Sequence, residues 1–345
     1  MFFIRIILWP FSLIYGVILY VRNSCYDFNL FKVHNLDVPV VSVGNLSVGG
    51  TGKTPHVAFI AEQAKSKTQA AILLRGYGRN TKGFLIVTNN AAVETVGDEA
   101  LFYKKTFKDD VIVAVSENRV LGVQQLKKLY PSLGLVILDD AFQHRKIHRD
   151  LNIMLVDFNK PYWKDRVLPA GRLREFPSGK NRADIIVVTK TPIDLSDDKK
   201  QSIINKIDPK SEQTVLFSNI KYGGITGFRS EEFEISDHIL LITGIANPIP
   251  LKDHLIKTAT VTHKAYDDHH DFTEADIKEI HELFDTFASG KKVIVTTQKD
   301  FMRLNTPQLR KLTGEYPWFY QEIKVVFSED KVFKDLIEKV YVKNI

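Results

Sequence analysis

Short apolar runs alternate along this chain with longer stretches in which apolar and polar residues mix. Apolar runs of about four to eight residues between turn-forming residues are typical of buried strands, and the mixed stretches are typical of amphipathic helices. Strands are expected near residues 40 and 240 and at residues 70–74, 111–115, 135–138, 151–156, 185–189, 215–220, 225–228, 292–297 and 322–327. Helices are expected at residues 55–65, 194–211, 273–287 and 329–342, and two more should begin near residues 98 and 118. This alternation predicts an α/β fold with mainly parallel sheets, in which ligands bind beyond the carboxyl ends of the strands.

A glycine-containing stretch divides the chain into two parts. The residues Lys221-Tyr222-Gly223-Gly224 lie between two apolar runs, which is a hairpin-like signal. A second α/β unit begins at His238, where an apolar run leads into a loop that contains a glycine. We therefore expect a domain boundary close to these glycines.

The N-terminal segment is the most apolar part of the chain. Residues 6–21 are almost all apolar, with Arg5 before them and Arg22 after them. Sixteen helical residues rise about 24 Å, which is less than the ~30 Å thickness of a bilayer's hydrocarbon core. We interpret the segment as a helix that lies on or dips into the inner face of a membrane, with aromatic residues at the level of the lipid headgroups: Trp9, Tyr15 and Tyr20. The alternatives are a helix packed on the core, a true membrane span and a signal peptide, although no small-residue cleavage pattern follows.

A glycine-rich turn follows the first strand and leads into a helix, which is the context that a phosphate-binding loop requires. Its nucleotide-binding residues would be Ser47, Val48, Gly49, Gly50, Thr51, Gly52, Lys53 and Thr54. Backbone N–H groups and the helix N-terminus would bind the phosphates, Lys53 would reach the β- and γ-phosphates, and the Thr54 hydroxyl would bind Mg2+. Ser47 stands where this type of loop usually has glycine. The alternative is a glycine-rich turn that binds nothing.

Two further stretches carry polar groups at the ends of predicted strands. Asp139 and Asp140 follow four apolar residues, an arrangement typical of acids that hold Mg2+ in nucleotide-binding proteins; the alternative is a helix N-cap. Gln143 and His144 follow Asp139 and Asp140 closely in the sequence.

A loop with two arginines and an aromatic residue at 75–79 could bind an anionic or sugar-bearing ligand, or could be a solvated turn; its candidate substrate residues are Arg75 and Tyr77.

The composition excludes some classes of function but does not identify one. The 345 residues are 44% hydrophobic and 26% charged, as in ordinary globular proteins. Cys25 is the only cysteine, which excludes a disulfide framework and a cysteine metal cluster. The net charge of +6 suits an anionic partner. Because many basic residues concentrate in the loop at 160–182 rather than on a face with aromatic platforms, nucleic-acid binding is not expected.

Six motifs together resemble those of the tetraacyldisaccharide 4′-kinase family, which acts in lipid A biosynthesis. They are Gly-Asn-Leu-Ser-Val-Gly-Gly-Thr-Gly-Lys-Thr-Pro at 44–55, Arg-Gly-Tyr-Gly-Arg at 75–79, Gly-Asp-Glu at 97–99, Asp-Asp-Ala-Phe-Gln-His at 139–144, Leu-Arg-Glu at 173–175 and Asp-His-His at 268–270. The motifs occur in order through most of the chain, and the set is highly specific. The resemblance implies an enzyme that transfers the γ-phosphate of ATP to the 4′-hydroxyl of a tetraacyldisaccharide 1-phosphate, the lipid A precursor, at the cytoplasmic face of the bacterial inner membrane.

The resemblance also implies an architecture of two α/β/α domains. These would be an N-terminal membrane-associated helix at residues 1–30, a P-loop NTPase-like kinase domain at 31–213, a two-stranded linker at 214–230 and a second α/β domain at 231–345.

The same resemblance implies roles for individual residues. Asp98 would be the general base on the acceptor hydroxyl and His269 its partner from the second domain, although the adjacent His270 leaves that choice open. Asp139 and Asp140 would be the Mg2+-associated acids. The Leu-Arg-Glu residues near phosphate or acceptor would be Arg174 and Glu175.

The nearest alternative is a membrane-associated partitioning-type ATPase, which is a switch protein rather than a metabolic kinase. That class has a lysine before its paired glycines, where this chain has Val48, and its membrane helix is usually C-terminal. A GTPase is a weaker alternative, based on a faint likeness of Thr-Lys-Thr-Pro at 189–192 and Gln-Lys-Asp at 298–300 to a guanine-reading motif. A scaffold with an inactive phosphate loop is the third alternative, although Lys53 and Asp139 are both present.

Overall fold

The computed structural model describes residues 2–229, 231–234, 236–268, 270–288 and 290–342, with the side chains from residue 7 onward. The described strands are β1 Val40–Asn45, β2 Ala70–Leu74, β3 Leu85–Ile86, β4 Ile112–Val115, β5 Leu135–Asp139, β6 Leu151–Asp157, β7 Ile185–Thr189, β8 Thr214–Gly227, β9 His238–Thr243, β10 Thr260–Ala265, β11 Lys292–Thr297 and β12 Trp318–Phe327. The described helices are α1 Phe2–Asp27, α2 Lys53–Ala64, α3 Val93–Val96, α4 Asp98–Phe107, α5 Arg119–Leu129, α6 Asp197–Ile207, α7 Ile249–Leu255, α8 Glu274–Asp285, α9 Gln298–Leu304, α10 Arg310–Thr313 and α11 Asp330–Val342.

All of these strands belong to one sheet with the order β10-β9-β11-β12-β8-β7-β6-β1-β5-β2-β4-β3. Neighbouring strands are parallel except for two antiparallel pairs, β8 with β12 and β3 with β4. The predicted α/β fold with mainly parallel strands and a P-loop NTPase-like first part is therefore confirmed. The division into two domains stays a prediction.

Both faces of the sheet are covered by apolar contacts. Residues alternate along a strand, so that in β5 Leu135 and Ile137 pack in one cluster while Val136 and Leu138 pack in another. The first cluster includes side chains of α2, α4 and α11, and the second includes side chains of α5. Strands that are buried on both faces appear in the sequence as continuous apolar runs, which is why these strands were predictable.

The hairpin predicted at residues 221–224 is wrong. β8 continues through both glycines as one strand and pairs with β12 near the C-terminus. Its register shifts between Gln321 and Ile323, and the Gln321 side chain donates hydrogen bonds to the carbonyls of Gly223 and Gly224, at 2.9 and 3.2 Å. The glycine pair thus faces an irregularity in the partner strand, which is the other common role of glycine within a strand.

Helix α1 is longer than the apolar segment and leaves most of that segment's large side chains in solvent. Its exposed apolar residues are Ile7, Trp9, Phe11, Leu13, Ile14, Tyr15, Val17, Ile18, Tyr20 and Val21. The opposite side faces the protein, where Ser12 is buried and Gly16 lies against the ring of Phe176. The helix is therefore not buried in the core. Across the described residues, no helix combines the length and the apolar character needed to cross a membrane.

Candidate active site at the phosphate loop

The glycine-rich turn connects the buried strand β1 to helix α2, which begins at Lys53. Gly49 and Gly52 have φ angles of 106° and 87°, in the left-handed region that favours glycine. Inside the turn, Asn45 Nδ2 donates a hydrogen bond to Thr51 Oγ1 at 2.7 Å. The turn therefore ends at the N-terminus of α2, an arrangement that binds phosphate groups.

The Leu-Arg-Glu segment supports this turn from outside. Ser47 pairs with Leu173 in an isolated antiparallel bridge. The N–H of Val48 donates to the carbonyl of Arg172 at 2.8 Å, and the N–H of Arg174 donates to the carbonyl of Leu46 at 2.7 Å. The phosphate loop and the predicted acceptor segment therefore form one backbone-linked unit.

Asp140 lies between two cations at the mouth of the loop. Arg174 donates two hydrogen bonds to its carboxylate, at 2.7 and 3.0 Å, and Lys53 Nζ lies 3.7 Å from Oδ1. Burial alone would raise the pKa of Asp140, but the charges of Lys53 and Arg174 hold it below its usual value. Because both oxygens accept from Arg174, Asp140 is less available to a metal than the sequence suggested.

Asp139 has the opposite environment. Its side chain is 2% exposed, and Oδ2 accepts a hydrogen bond from the hydroxyl of Tyr103 at 2.8 Å. Within the described part of the chain, Oδ1 is buried without a hydrogen-bond partner. Burial, reinforced by the charge of Glu99, raises the pKa of Asp139 to about 7. An unpartnered carboxylate oxygen in this position is a cost unless a cation binds it.

The donors present fit Mg2+ bound together with a nucleotide. Among the described residues, no three His, Cys, Asp or Glu side chains form a metal cluster. Mg2+ does not need one, since it commonly takes one or two carboxylates, water and phosphate oxygens. The unpartnered oxygen of Asp139 and the Thr54 hydroxyl at the start of α2 are hard oxygen donors of this kind.

Asp98 is the first residue of α4 and stands beside the arginine-containing loop. Its Oδ1 accepts a hydrogen bond from the N–H of Glu99 at 2.8 Å. The preceding Gly97 has φ of 88°, and a Cβ there would lie 2.7 Å from the carbonyl oxygen of Tyr77. The residue before the predicted base is thus in close contact with the loop at 75–79, where Tyr77 is 77% exposed.

The charges of two arginines, Arg75 and Arg119, act on His144. Burial, together with the positive charges of Arg119 and Arg75, lowers the pKa of His144 to about 4. His144 is therefore uncharged at neutral pH, so that it can serve as a hydrogen-bonding group but not as a cation.

Glu175 connects the phosphate loop to helix α1. Its buried carboxylate accepts hydrogen bonds from Gln143 at 2.9 Å, from Arg182 at 2.8 Å and from Asn23 of α1 at 2.8 Å. Gln143 also donates to the carbonyl of Asn45, at 2.8 Å. The exposed apolar helix is therefore hydrogen-bonded to the loop that supports the phosphate loop.

The proposed partner of Asp98, His269, lies outside the described residues. The adjacent His270 is described, and its Nε2 lies 3.1 Å from Asp276 Oδ2, while its ring stacks on Tyr266. Asp276 also closes the capping box of α8 with Thr273. His270 therefore has a structural partner, so the dyad prediction rests on His269.

Two site residues were missed in the sequence. Tyr103, which lies 36 positions before Asp139 in the sequence, donates a hydrogen bond to its carboxylate. Arg119 of α5 donates a hydrogen bond to the backbone carbonyl of Asp139 at 3.3 Å. Nothing local marks either residue, because each lies within an ordinary helical pattern. Arg119 carries one weak signal, since a cation at a helix N-terminus is unfavourable for the helix dipole.

The geometry does not support the Gln-Lys-Asp stretch at 298–300 as a guanine-reading motif. Asp300 is fully buried, and its carboxylate accepts hydrogen bonds from the N–H of Gly244, the Thr297 hydroxyl and Arg303. A carboxylate occupied in this way is not available to a base. The Gln-Lys-Asp stretch instead forms the first turn of α9.

Comparisons with known proteins identify the family of this chain. A family model described as tetraacyldisaccharide-1-P 4′-kinase matches residues 4–341. A relative named tetraacyldisaccharide 4′-kinase from Cytophaga hutchinsonii is 40% identical over 98% of this chain and 96% of its own length. A relative of the same name from Flavobacterium johnsoniae is 38% identical over 99% of this chain and 98% of its own length.

A solved structure extends the agreement to the fold. The crystal structure of LpxK from Aquifex aeolicus in complex with ATP superposes with a TM-score of 0.78 at 30% identity, covering 98% of this chain and 99% of that one. The resemblance inferred from the six motifs is confirmed. The chain belongs to the tetraacyldisaccharide 4′-kinase family.

Proposed function

We propose that the chain transfers the γ-phosphate of ATP to the 4′-hydroxyl of a tetraacyldisaccharide 1-phosphate at the cytoplasmic face of the bacterial inner membrane. The observation that carries this proposal is the link, through the Leu-Arg-Glu segment, between an exposed apolar helix and a phosphate loop. Glu175 accepts from Asn23 of α1, and its neighbour Arg174 donates to Asp140 beside Lys53. A soluble acceptor would not require such a helix at the phosphate site.

The donor side of the reaction uses the phosphate loop. The N–H of Val48 is held by the carbonyl of Arg172 and that of Thr51 by the carbonyl of Gly49. The other N–H groups of the loop and the N-terminus of α2 bind the phosphates, and the ammonium group of Lys53 neutralises charge on the γ-phosphate as transfer proceeds. Asp140, which is itself paired with Arg174, holds Lys53 at the mouth of the loop.

A divalent cation fits beside Thr54 and Asp139. When bound, Mg2+ supplies charge neutralisation and orientation of the phosphate oxygens. Asp139 is favoured over Asp140 as its carboxylate, because Asp139 Oδ1 has no hydrogen-bond partner among the described residues while both oxygens of Asp140 accept from Arg174.

The acceptor side uses Asp98. The 4′-oxygen forms a bond to the γ-phosphorus as the bond to the bridging oxygen of ADP breaks, and the hydroxyl proton moves to the Asp98 carboxylate. His269, from the second half of the chain, would orient this carboxylate. The candidate contacts to the sugar and its phosphate are Arg75, Tyr77, Gln143, His144, Arg174 and Glu175. Among them, Glu175 is buried and accepts hydrogen bonds from Gln143, Arg182 and Asn23, so that it would act by positioning its neighbours.

Membrane association follows from the exposed side of α1. Its apolar residues include the aromatic side chains Trp9 and Tyr15, which suit the headgroup region of a bilayer. A helix that lies in the interface with its apolar face in the lipid would present the membrane-bound acceptor beside Asp98 and the phosphate loop.

The test is an assay with [γ-32P]ATP, Mg2+ and tetraacyldisaccharide 1-phosphate in mixed micelles, with the position of the new phosphate determined by NMR. We expect label on the 4′-oxygen of the lipid. Label released only as inorganic phosphate, at the same rate without lipid, would instead favour a switch ATPase.

A further inference from the structure

Tyr103 is a buried polar residue next to the nucleotide site that phosphate-loop chemistry does not use directly. It lies on α4, five positions after Asp98, and its side chain is fully buried. Its hydroxyl donates to Asp139 Oδ2 at 2.8 Å and lies 3.3 Å from the carbonyl oxygen of Thr54. One side chain therefore contacts both residues that would hold the metal.

The hydrogen bond fixes one oxygen of Asp139 and leaves the other for a ligand. Asp139 Oδ2 accepts from Tyr103, while Oδ1 is buried without a partner among the described residues. The backbone of Asp139 is held from another side, where Arg119 donates to its carbonyl at 3.3 Å. The carboxylate is thus oriented with a single free oxygen, and a neutral phenol holds it without cancelling its charge.

We propose that Tyr103 is a positioning residue for the divalent cation, orienting Asp139 so that Oδ1 binds the metal. This inference rests on the proposed function, which requires the cation. Groups that hydrogen-bond to a metal's ligands typically change its affinity by about 10- to 100-fold when they are removed. Because α4 also begins with Asp98, the same side chain links the base-bearing helix to the metal position.

The experiment compares two tyrosine variants of the full chain in detergent. Tyr103→Phe removes the hydroxyl that contacts Asp139. Tyr162→Phe is the matched control, because the Tyr162 hydroxyl is also buried but has no hydrogen-bond partner in the described part of the chain. Mn2+ affinity is measured by electron paramagnetic resonance in the presence of a non-hydrolysable ATP analogue, and the melting temperature is measured for each variant.

We expect Tyr103→Phe to weaken Mn2+ binding by about tenfold while Tyr162→Phe leaves it unchanged. In an Asp139→Asn background the Tyr103→Phe change should have little further effect, because the oriented carboxylate is already gone. Equal Mn2+ affinity of wild type and Tyr103→Phe, with both folded, would overturn the role of Tyr103 alone. Failure of the wild type to bind Mn2+ with the analogue would overturn the metal site, and with it this inference.

Discussion

At the residue scale, the two adjacent aspartates show how environment separates chemically identical groups. Asp140 is paired with Arg174 and Lys53, which keep its pKa low, whereas burial raises the pKa of Asp139 to about 7. The φ angle of 50° at Asp140 ends the extended backbone of β5, whose last residue is Asp139. Asp140 therefore holds the cationic groups, and in the proposed mechanism Asp139 keeps an oxygen for the metal.

Asp98→Asn gives a residue-scale prediction. The amide oxygen can still accept the hydrogen bond from Glu99, so the start of α4 should be kept, but the group can no longer take a proton. We expect the rate of phosphoryl transfer to fall by about 10²- to 10⁴-fold with ATP affinity unchanged. Rapid-quench measurement of lipid phosphorylation tests this.

The control for this variant is Glu94→Gln, which changes an exposed carboxylate in the first turn of α3. It should keep the wild-type rate. Near-normal transfer by Asp98→Asn would remove Asp98 from the role of base.

At the element scale, α1 is positioned by a close contact that only glycine permits. A Cβ on Gly16 would lie 2.5 Å from Cζ of Phe176, in the segment directly after Leu-Arg-Glu. Ser12 adds a second anchor, since its hydroxyl accepts a hydrogen bond from the N–H of Ala170 at 2.8 Å. The helix therefore packs along the acceptor segment through its small residues and leaves its large apolar residues exposed.

Gly16→Val should displace α1 from this segment. Overpacking at such a contact costs about 1–3 kcal/mol, and we expect lipid phosphorylation to fall by about tenfold or more while nucleotide binding is kept. Val17→Leu on the exposed side is the matched control and should be neutral. Phe176→Ala should restore part of the activity of Gly16→Val; equal activity of Gly16→Val and wild type would contradict the contact.

Helix α8 gives a pH-dependent prediction that is independent of the active site. Trp318 Nε1 donates a hydrogen bond to His281 Nε2 at 3.0 Å, which requires a neutral imidazole, and burial lowers the pKa of His281. In the unfolded chain histidine binds a proton near pH 6.5. Below pH 6.5 the unfolded chain therefore binds a proton that the folded chain does not. The contribution of His281 to the free energy of unfolding is complete above that pH and is lost as the pH falls below it.

His281→Gln keeps an acceptor for Trp318 but cannot titrate. Between pH 7.5 and 5.5, we expect its free energy of unfolding to fall less than that of the wild type, as measured by urea denaturation in detergent. His148→Gln, at an exposed position, should follow the wild type. A pH dependence of His281→Gln equal to that of the wild type would show that this histidine is not held neutral.

At the scale of the whole molecule, the sequence predicted most of the strands and the position of the glycine-rich turn between a strand and a helix, but not how distant parts meet. Strands buried on both faces are visible as apolar runs, and Lys53 stands in a local pattern whose chemistry is specific. The pairing of β8 with β12 was not predictable, because Gly223 and Gly224 suit a turn and a strand irregularity equally well. Tyr103 was missed for a similar reason, since its importance comes from Asp139 on another element.

Residues of the second half of the chain lie near the helix that carries the predicted base. Helix α4, which begins with Asp98, lies beside α9 of the second half, where Lys105 Nζ is 5.9 Å from the centre of the Phe301 ring. The charge of Lys299, also on α9, opposes the rise that burial gives to the pKa of Glu99. The second half therefore contributes to the surroundings of the predicted base, and its position should affect transfer to the acceptor more than binding of ATP.

The central claim is that the phosphate loop donates to a lipid hydroxyl rather than to water. Its most direct test measures ATP consumed and 4′-phosphorylated lipid formed in the same reaction, with and without tetraacyldisaccharide 1-phosphate. We expect close to one lipid phosphate for each ATP consumed, and ATP consumption lower by at least about tenfold without the lipid, because closure of kinase sites excludes water. ATP consumption that is unchanged by the lipid, with no phosphate on its 4′-oxygen, would contradict the account.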